Sequence, residues 1–149
     1  MPQSFSSLHC HIVFSTKHRQ ALINADWQPR LFEYLAGILR NHGCCLIAAG
    51  GMPDHVHLLV SLSRTLAVAD VVRQMKSNSS GWVHRELDSP HFQWQEGYGA
   101  FAVSYSHLEQ VKVYLANQEQ HHHRLSFQEE FRELLKRHNL QWDEKHVWE

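Results

Sequence analysis

Cysteine is scarce in this sequence: Cys10, Cys44 and Cys45 are the only three, an odd number with no C-x-x-C pair. That reads as three reduced packing residues rather than a disulfide framework. No apolar run is long enough to cross a bilayer, so no membrane partner is expected. Met1-Pro2-Gln3-Ser4-Phe5 lacks the basic and apolar regions of a secretory signal, which makes the cytoplasm the expected compartment. Neither sign of charge dominates. A formal net charge of −1 does not announce a polyanion binder, although a local basic patch suffices for phosphate contacts. No repeat, low-complexity segment or linker interrupts the 149 residues, and a hydrophobic fraction of 43% is ordinary. One domain over residues 1–149, with one core, is the expectation. What is abundant is histidine, with 14 copies. Protonating many of them would make the chain markedly cationic below neutral pH.

The hydrophobic pattern predicts a strand over 8–15, followed by the short basic exit Lys17-His18-Arg19. Asp26 offers an N-cap and Pro29 a first-turn residue for a helix carrying Leu31, Tyr34, Leu35, Ile38 and Leu39, stopped by Gly43. Strands follow over 44–49 and 55–62, with a turn at 52–54. Thr65 can cap a second helix with Val68, Val71, Val72 and Met75 on one face. Ser77-Asn78-Ser79-Ser80-Gly81 weakens it, leaving Trp82 to Leu87 as a continuation or a separate turn. Short strands are expected at 92–94 and 100–104, and a third helix from about 106 to 124. Ser126-x-x-Glu129 makes a capping box for a fourth, with Phe127, Phe131, Leu134 and Leu135 on its buried face. The order β-α-β-β-α-β then helices points to an α+β fold: a ferredoxin-like antiparallel sheet with helices packed on one face.

Two constellations carry chemistry. His55 and His57 flank Val56 at the start of the third strand, so both imidazoles point to one side of the sheet. Two polar rings side by side need partners or water, and a divalent metal is an economical partner for neutral imidazole. Tyr114 and Gln118 stand at i and i+4 on the third helix, beside the core stripe Leu108, Val111 and Leu115. Were the two constellations to meet, two neutral imidazoles and a neutral amide would leave a bound Mg2+ or Mn2+ with its full charge. That suits polarisation of a phosphodiester. A phenol attacking phosphorus would give a phosphotyrosine that keeps the ester bond energy, allowing strands to be rejoined without ATP.

Further blocks accompany these: Val13-Phe14-Ser15-Thr16-Lys17, Gly51-Met52-Pro53-Asp54 before the histidines, Trp94-Gln95-Glu96-Gly97-Tyr98-Gly99-Ala100-Phe101, and Phe127-Gln128-Glu129-Glu130-Phe131. With H-x-H and a downstream Y-x-x-x-Q, the chain resembles the single-tyrosine HUH transposases of the smallest bacterial insertion sequences, over nearly its whole length. The resemblance implies that His55, His57 and Gln118 hold the metal and that Tyr114 is the nucleophile. It implies cutting of single-stranded DNA at hairpin-marked ends, a 5′-phosphotyrosine and a free 3′-OH. It also implies a homodimer, with the tyrosine helix able to serve either subunit's histidines. A non-catalytic hairpin-DNA-binding protein on the same fold is the alternative, and a zinc hydrolase with an H-x-H site is a third reading.

Among the remaining residues, Lys17, Arg19, Arg73, Lys76 and Arg85 are candidate phosphate contacts, each otherwise a solvated surface charge. Trp94 and Tyr98 are candidate base-stacking residues, or else core and turn anchors. His121 shares a helix face with Tyr114 and Gln118 and could touch DNA or the metal's outer shell. His121-His122-His123 cannot together chelate one ion from a regular helix, because successive side chains diverge. His9 and His11 could line the same sheet face as His55 and His57 in a supporting or packing role. Asp54, next to Pro53, reads as a turn residue.

Overall fold

A computed structural model describes residues 2–149. The elements run β1 (His9–Ser15), a 3-10 turn at Lys17–Arg19, α1 (Gln28–Asn41), β2 (Cys45–Met52), β3 (His55–Ser61) and α2 (Val68–Glu86). Then come β4 (Gly99–Val103), a 3-10 turn at Tyr105–His107, α3 (Leu108–Ala116), α4 (Gln118–His122) and α5 (Phe127–Arg137). The four strands form one antiparallel sheet in the order β2-β3-β1-β4, the ferredoxin-like arrangement expected.

Alternation sorts the strands onto two faces. Cys10, Ile12 and Phe14 of β1 join Val56, Leu58 and Val60 of β3 beneath α1 and α2, whose Leu31, Leu35, Leu39, Val71, Val72 and Met75 complete the main core. The opposite face carries His11, Val13, His55, His57, Leu59 and Phe101. The one-face expectation thus describes α1 and α2. The C-terminal helices close the other side, because Val13, Leu59 and Phe101 also need apolar cover. Leu59 packs against Leu108 and Leu115 of α3, and Val13 and Phe101 pack against Phe127, Phe131, Leu134 and Leu135 of α5.

Several local expectations are corrected. Neither Asp26 nor Thr65 caps a helix: α1 starts after Trp27, with Pro29 in its first turn, and α2 starts after Ala67. Asn24 takes the turn instead, its Oδ1 accepting from the Asp26 N–H at 2.8 Å and its carbonyl from Trp27 and Gln28. The serine-rich stretch does not break α2, because Met75, Ser79 and Val83 stay on one buried stripe and Ser79 Oγ accepts from Trp94 Nε1 at 2.9 Å. Residues 92–94 form no strand; Trp94 makes an isolated bridge to Thr16, and its ring and that of Phe92 pack edge-to-face in the core. The third predicted helix is two, α3 and α4, broken at Asn117 with φ −105° and ψ 23°. The Ser126 half of the capping box forms, its hydroxyl accepting from the Glu129 N–H at 3.2 Å, while the Glu129 carboxylate accepts from that hydroxyl instead of reaching the Ser126 N–H.

Candidate active site

The histidine pair of β3 lies at the centre of the second face, and α3, α4 and α5 converge on it. Both imidazoles have 0% exposure. His55 Nδ1 meets Asp54 Oδ1 at 2.7 Å, which fixes the N–H on that nitrogen and leaves a lone pair on Nε2. His57 is held in the same sense: its Nδ1 lies 2.8 Å from His11 Nε2. Burial, reinforced by the neighbouring His57, lowers the His11 pKa to about 3, so that ring stays neutral and can accept from His57. Asp54 is therefore more than a turn residue. Burial pushes its carboxyl up, but the hydrogen bond from His55 outweighs that and lowers it.

Both Nε2 atoms face Glu130, which reaches in from α5 with 1% exposure. Glu130 Oε1 lies 2.8 Å from His57 Nε2, 3.1 Å from His122 Nε2 and 3.6 Å from His55 Nε2. Glu130 Oε2 accepts from the Tyr114 hydroxyl and from Gln118 Nε2 at 3.3 Å. A carboxylate buried without partners would cost several kcal/mol. Here burial pushes its proton affinity up, while the His122, His57 and Tyr114 side chains that face it more than reverse that and hold it well below the ordinary range. The same carboxylate acts oppositely on Tyr114. Burial first, then the charge of Glu130, push the phenol above its ordinary value, so the hydroxyl stays protonated.

Gly50 lets the helix approach. It pairs with His57 across the sheet, and a Cβ there would stand 2.1 Å from the Leu115 carbonyl oxygen. Only glycine allows α3 to sit this low on β2, and Tyr114 is the next residue along. The break at Asn117 then re-aims the chain. Gln118 Oε1 ends 3.4 Å from His55 Nε2 and 3.1 Å from His122 Nε2. Tyr114, Gln118, His55 and His57, read as two separate constellations, are thus brought together within one chain.

These donors fit a divalent cation. The ligand atoms of His55, His57, His122 and Glu130 all lie within 4.8 Å of one another, with Gln118 Oε1 alongside. The set is not neutral, as two imidazoles and an amide alone would be: it includes a carboxylate. Glu130 and His122 are the residues that sequence reading missed. Glu130 did leave a signal, a charge at i+3 from Phe127 and i−4 from Leu134 on the apolar stripe of α5. The histidine that turns inward is His122. His121 Nε2 stands 3.6 Å from Glu130 Oε2, its ring packs against Tyr114, and His123 is exposed.

The candidate DNA contacts separate. Lys17, Arg73, Lys76, Trp94 and Tyr98 line one groove between α2 and the 93–98 loop. Within it, Lys76 directs its ammonium at the carbonyls of Gln95, Glu96 and Gly97, at 2.8, 3.1 and 2.6 Å, so it braces the loop rather than awaiting a phosphate. Burial lowers its pKa to about 8. Trp94 is 7% exposed, and its edge-to-face contacts with Phe14 and Phe92 place its ring largely in the core. Tyr98 is 39% exposed and Arg73 is exposed, paired only with Asp70. Arg19 lies elsewhere, over Trp148 and beside a hollow shared with Asp54 and His122.

The sequence profile of the family described as "Transposase IS200 like" matches residues 4–118. The ISDra2 transposase TnpA of Deinococcus radiodurans is 32% identical over 73 residues, which are 49% of this chain and 52% of that protein; the matched stretch thus spans about half the relative's length. A crystal structure of a candidate transposase from Deinococcus radiodurans R1 superposes with a TM-score of 0.61 at 27% identity, over 79% of this chain and 98% of that one. A REP-associated tyrosine transposase bound to a REP hairpin superposes with a TM-score of 0.58 over 78% of this chain and 70% of that one; at 12% identity this speaks for the fold alone.

Proposed function

The chain belongs to the IS200-like transposase family, and from that premise we propose that it cuts and rejoins single-stranded DNA at hairpin-marked ends by transesterification through Tyr114. The observation that supports this most is the Tyr114 hydroxyl standing in the same buried cluster as His57, Gln118 and Glu130. In this reading His55, His57 and Gln118 hold Mg2+ or Mn2+. Such an ion supplies positive charge to the non-bridging oxygens of a phosphodiester as charge builds on phosphorus.

The chain's own residues do the rest. Asp54 and His11 orient the two imidazoles through their Nδ1 atoms. Tyr114 Oη attacks phosphorus as its proton passes to Glu130 Oε2, the carboxylate oxygen it already faces; the bond from phosphorus to the 3′ oxygen breaks, and that oxygen takes up a proton to leave as a 3′-OH. The product is a 5′-phosphotyrosine, and attack on it by another 3′-OH rejoins strands and frees the tyrosine. The approach of Tyr114 to the histidines of its own chain supports a centre assembled within one subunit. A second copy of the chain and hairpin DNA are the proposed partners, with Lys17, Arg19, Arg73, Tyr98 and His121 as candidate DNA contacts.

The test is incubation of the purified protein with labelled single-stranded oligonucleotides carrying the element's hairpin ends, in Mg2+ or Mn2+. A protein–DNA adduct that survives SDS is expected, and Tyr114→Phe should abolish both adduct and cleavage. Cleavage that persists in Tyr114→Phe but is lost in His57→Ala would point to a hydrolytic metal site instead. Tight hairpin binding without cutting in either metal would make this a non-catalytic binding protein.

A further inference from the structure

We propose that Glu130 is itself a ligand of the catalytic cation, with His122 as a third imidazole, so that one carboxylate ties the ion to the nucleophile. The assignment rests on the metal-assisted reading above and adds to it. Glu130 lies in α5, beyond the stretch matched by the family profile, which ends at residue 118.

The two oxygens of Glu130 divide the site. Oε1 faces three imidazole nitrogens, of His57, His122 and His55, at 2.8, 3.1 and 3.6 Å. Oε2 faces the tyrosine side: the Tyr114 hydroxyl, Gln118 Nε2 at 3.3 Å and His121 Nε2 at 3.6 Å. A buried carboxylate needs compensating positive charge, and among the described residues the basic side chains within 4.0 Å of Glu130 are all histidines, which supply that charge only when protonated or when their lone pairs hold a cation. Three of those rings have their Nδ1 positions taken, His55 by Asp54, His57 by His11 and His122 by the Leu125 carbonyl at 2.8 Å, which leaves each Nε2 to serve as a lone-pair donor. Three nitrogen lone pairs and one carboxylate oxygen converging from three directions form a cation cage. A carboxylate bound to the ion through Oε1 keeps Oε2 for the Tyr114 hydroxyl, and so fixes the attacking oxygen relative to the ion.

The donor set also selects among metals. Imidazole nitrogens suit first-row transition ions, whereas Mg2+ prefers oxygen ligands and gives up its waters reluctantly. Three imidazoles with one carboxylate therefore favour Mn2+ over Mg2+.

The experiment is calorimetric titration of the full-length protein and its variants with Mn2+ and Mg2+, without DNA. Wild type should bind Mn2+ at least ~10-fold more tightly than Mg2+; equal or tighter Mg2+ binding would overturn the three-imidazole cage. Glu130→Gln keeps the shape and the acceptor for Tyr114 but removes the charge. It should weaken Mn2+ by more than about 100-fold, beyond the ~10–100-fold typical of an outer-sphere partner, and Glu130→Asp should restore part of the loss. A smaller loss in Glu130→Gln removes Glu130 from the ligand set. If His57→Ala abolishes binding while Glu130→Gln does not, the metal site of the proposed function stands and this assignment falls. If wild type binds neither ion, both fall. Wild-type crystals grown with Mn2+ decide the matter without any variant. Anomalous scattering in contact with a Glu130 oxygen and His122 supports the cage, and an ion on His55 and His57 with the carboxylate turned away overturns it.

Discussion

Strands β1 and β3 bury Ile12, Phe14, Val56, Leu58 and Val60 on one side and His11, His55 and His57 on the other, and both sets are almost wholly removed from solvent. Beneath α1 and α2 the burial is apolar and non-directional, so its stabilisation scales with area and tolerates repacking. Beneath α3, α4 and α5 the buried groups are donors and acceptors that must meet at hydrogen-bond distance. Asp54, His55, Gln118, His122 and Glu130 do so, as do His11, His57 and Tyr114. One sheet thus presents a face that stores stability and a face that stores geometry. Apolar residues around the second face, Val13, Leu59, Phe101 and Phe131, keep water from competing for the polar cluster.

If the faces are independent in this way, damage to one should leave the other's property intact. The largest loss of stability is expected from Leu58→Ala, at about 2–5 kcal/mol. Urea denaturation should show it, while the Mn2+ affinity of the folded protein stays within about threefold; a larger change would mean that the two faces are coupled. Gly50→Ala should act in the reverse sense. The added methyl meets the Leu115 carbonyl, so α3 must shift, at about 1–3 kcal/mol. Adduct formation should fall much further than the unfolding midpoint does, because Tyr114 moves with that helix.

The smallest effect is a slope. His11 has its folded-state pKa lowered from 6.5 to about 3 by burial and by His57, with Glu130 opposing and His138 adding to the shift. The unfolded chain therefore binds the extra proton first. The stability this group contributes is complete above the unfolded value and is lost progressively as pH falls below about 6.5 toward the folded value. His11→Asn should flatten the fall in unfolding free energy between pH 6.5 and 4 relative to wild type. An unchanged slope would show that His11 is not held neutral.

Much of this was legible in the chain. The period-two alternation of 55–60 announces a strand whose two sides differ, and no helix could put both imidazoles on one side with Val56 and Leu58 on the other. The Ser126 cap and the stripe Phe127, Phe131 and Leu134 are local signals, and they formed. The breaks were less legible. Asn117 interrupts a helix that spacing alone would continue, because what re-aims Gln118 is the site it turns toward. Asp26 and Thr65 were good caps by residue type but lost to turns made by Asn24 and Ser63. Residue type alone leaves Trp94 open between core and base stacking and makes Lys76 a candidate phosphate contact, because a sequence does not show burial. The structure gives one to the core and the other to loop carbonyls.

Periodicity encodes the α+β sheet, its apolar face, and the two pairs His55 with His57 and Tyr114 with Gln118. Each of these is a matter of periodicity over a few neighbouring positions. Long-range packing brings the two pairs together within one chain, turns His122 rather than His121 inward, and adds Glu130 to them. The separations involved, such as 73 residues between His57 and Glu130, are bridged by packing alone. No local propensity encodes which helix will close over which strand. That is settled by the apolar cover that Val13, Leu59 and Phe101 demand and by the room that Gly50 leaves.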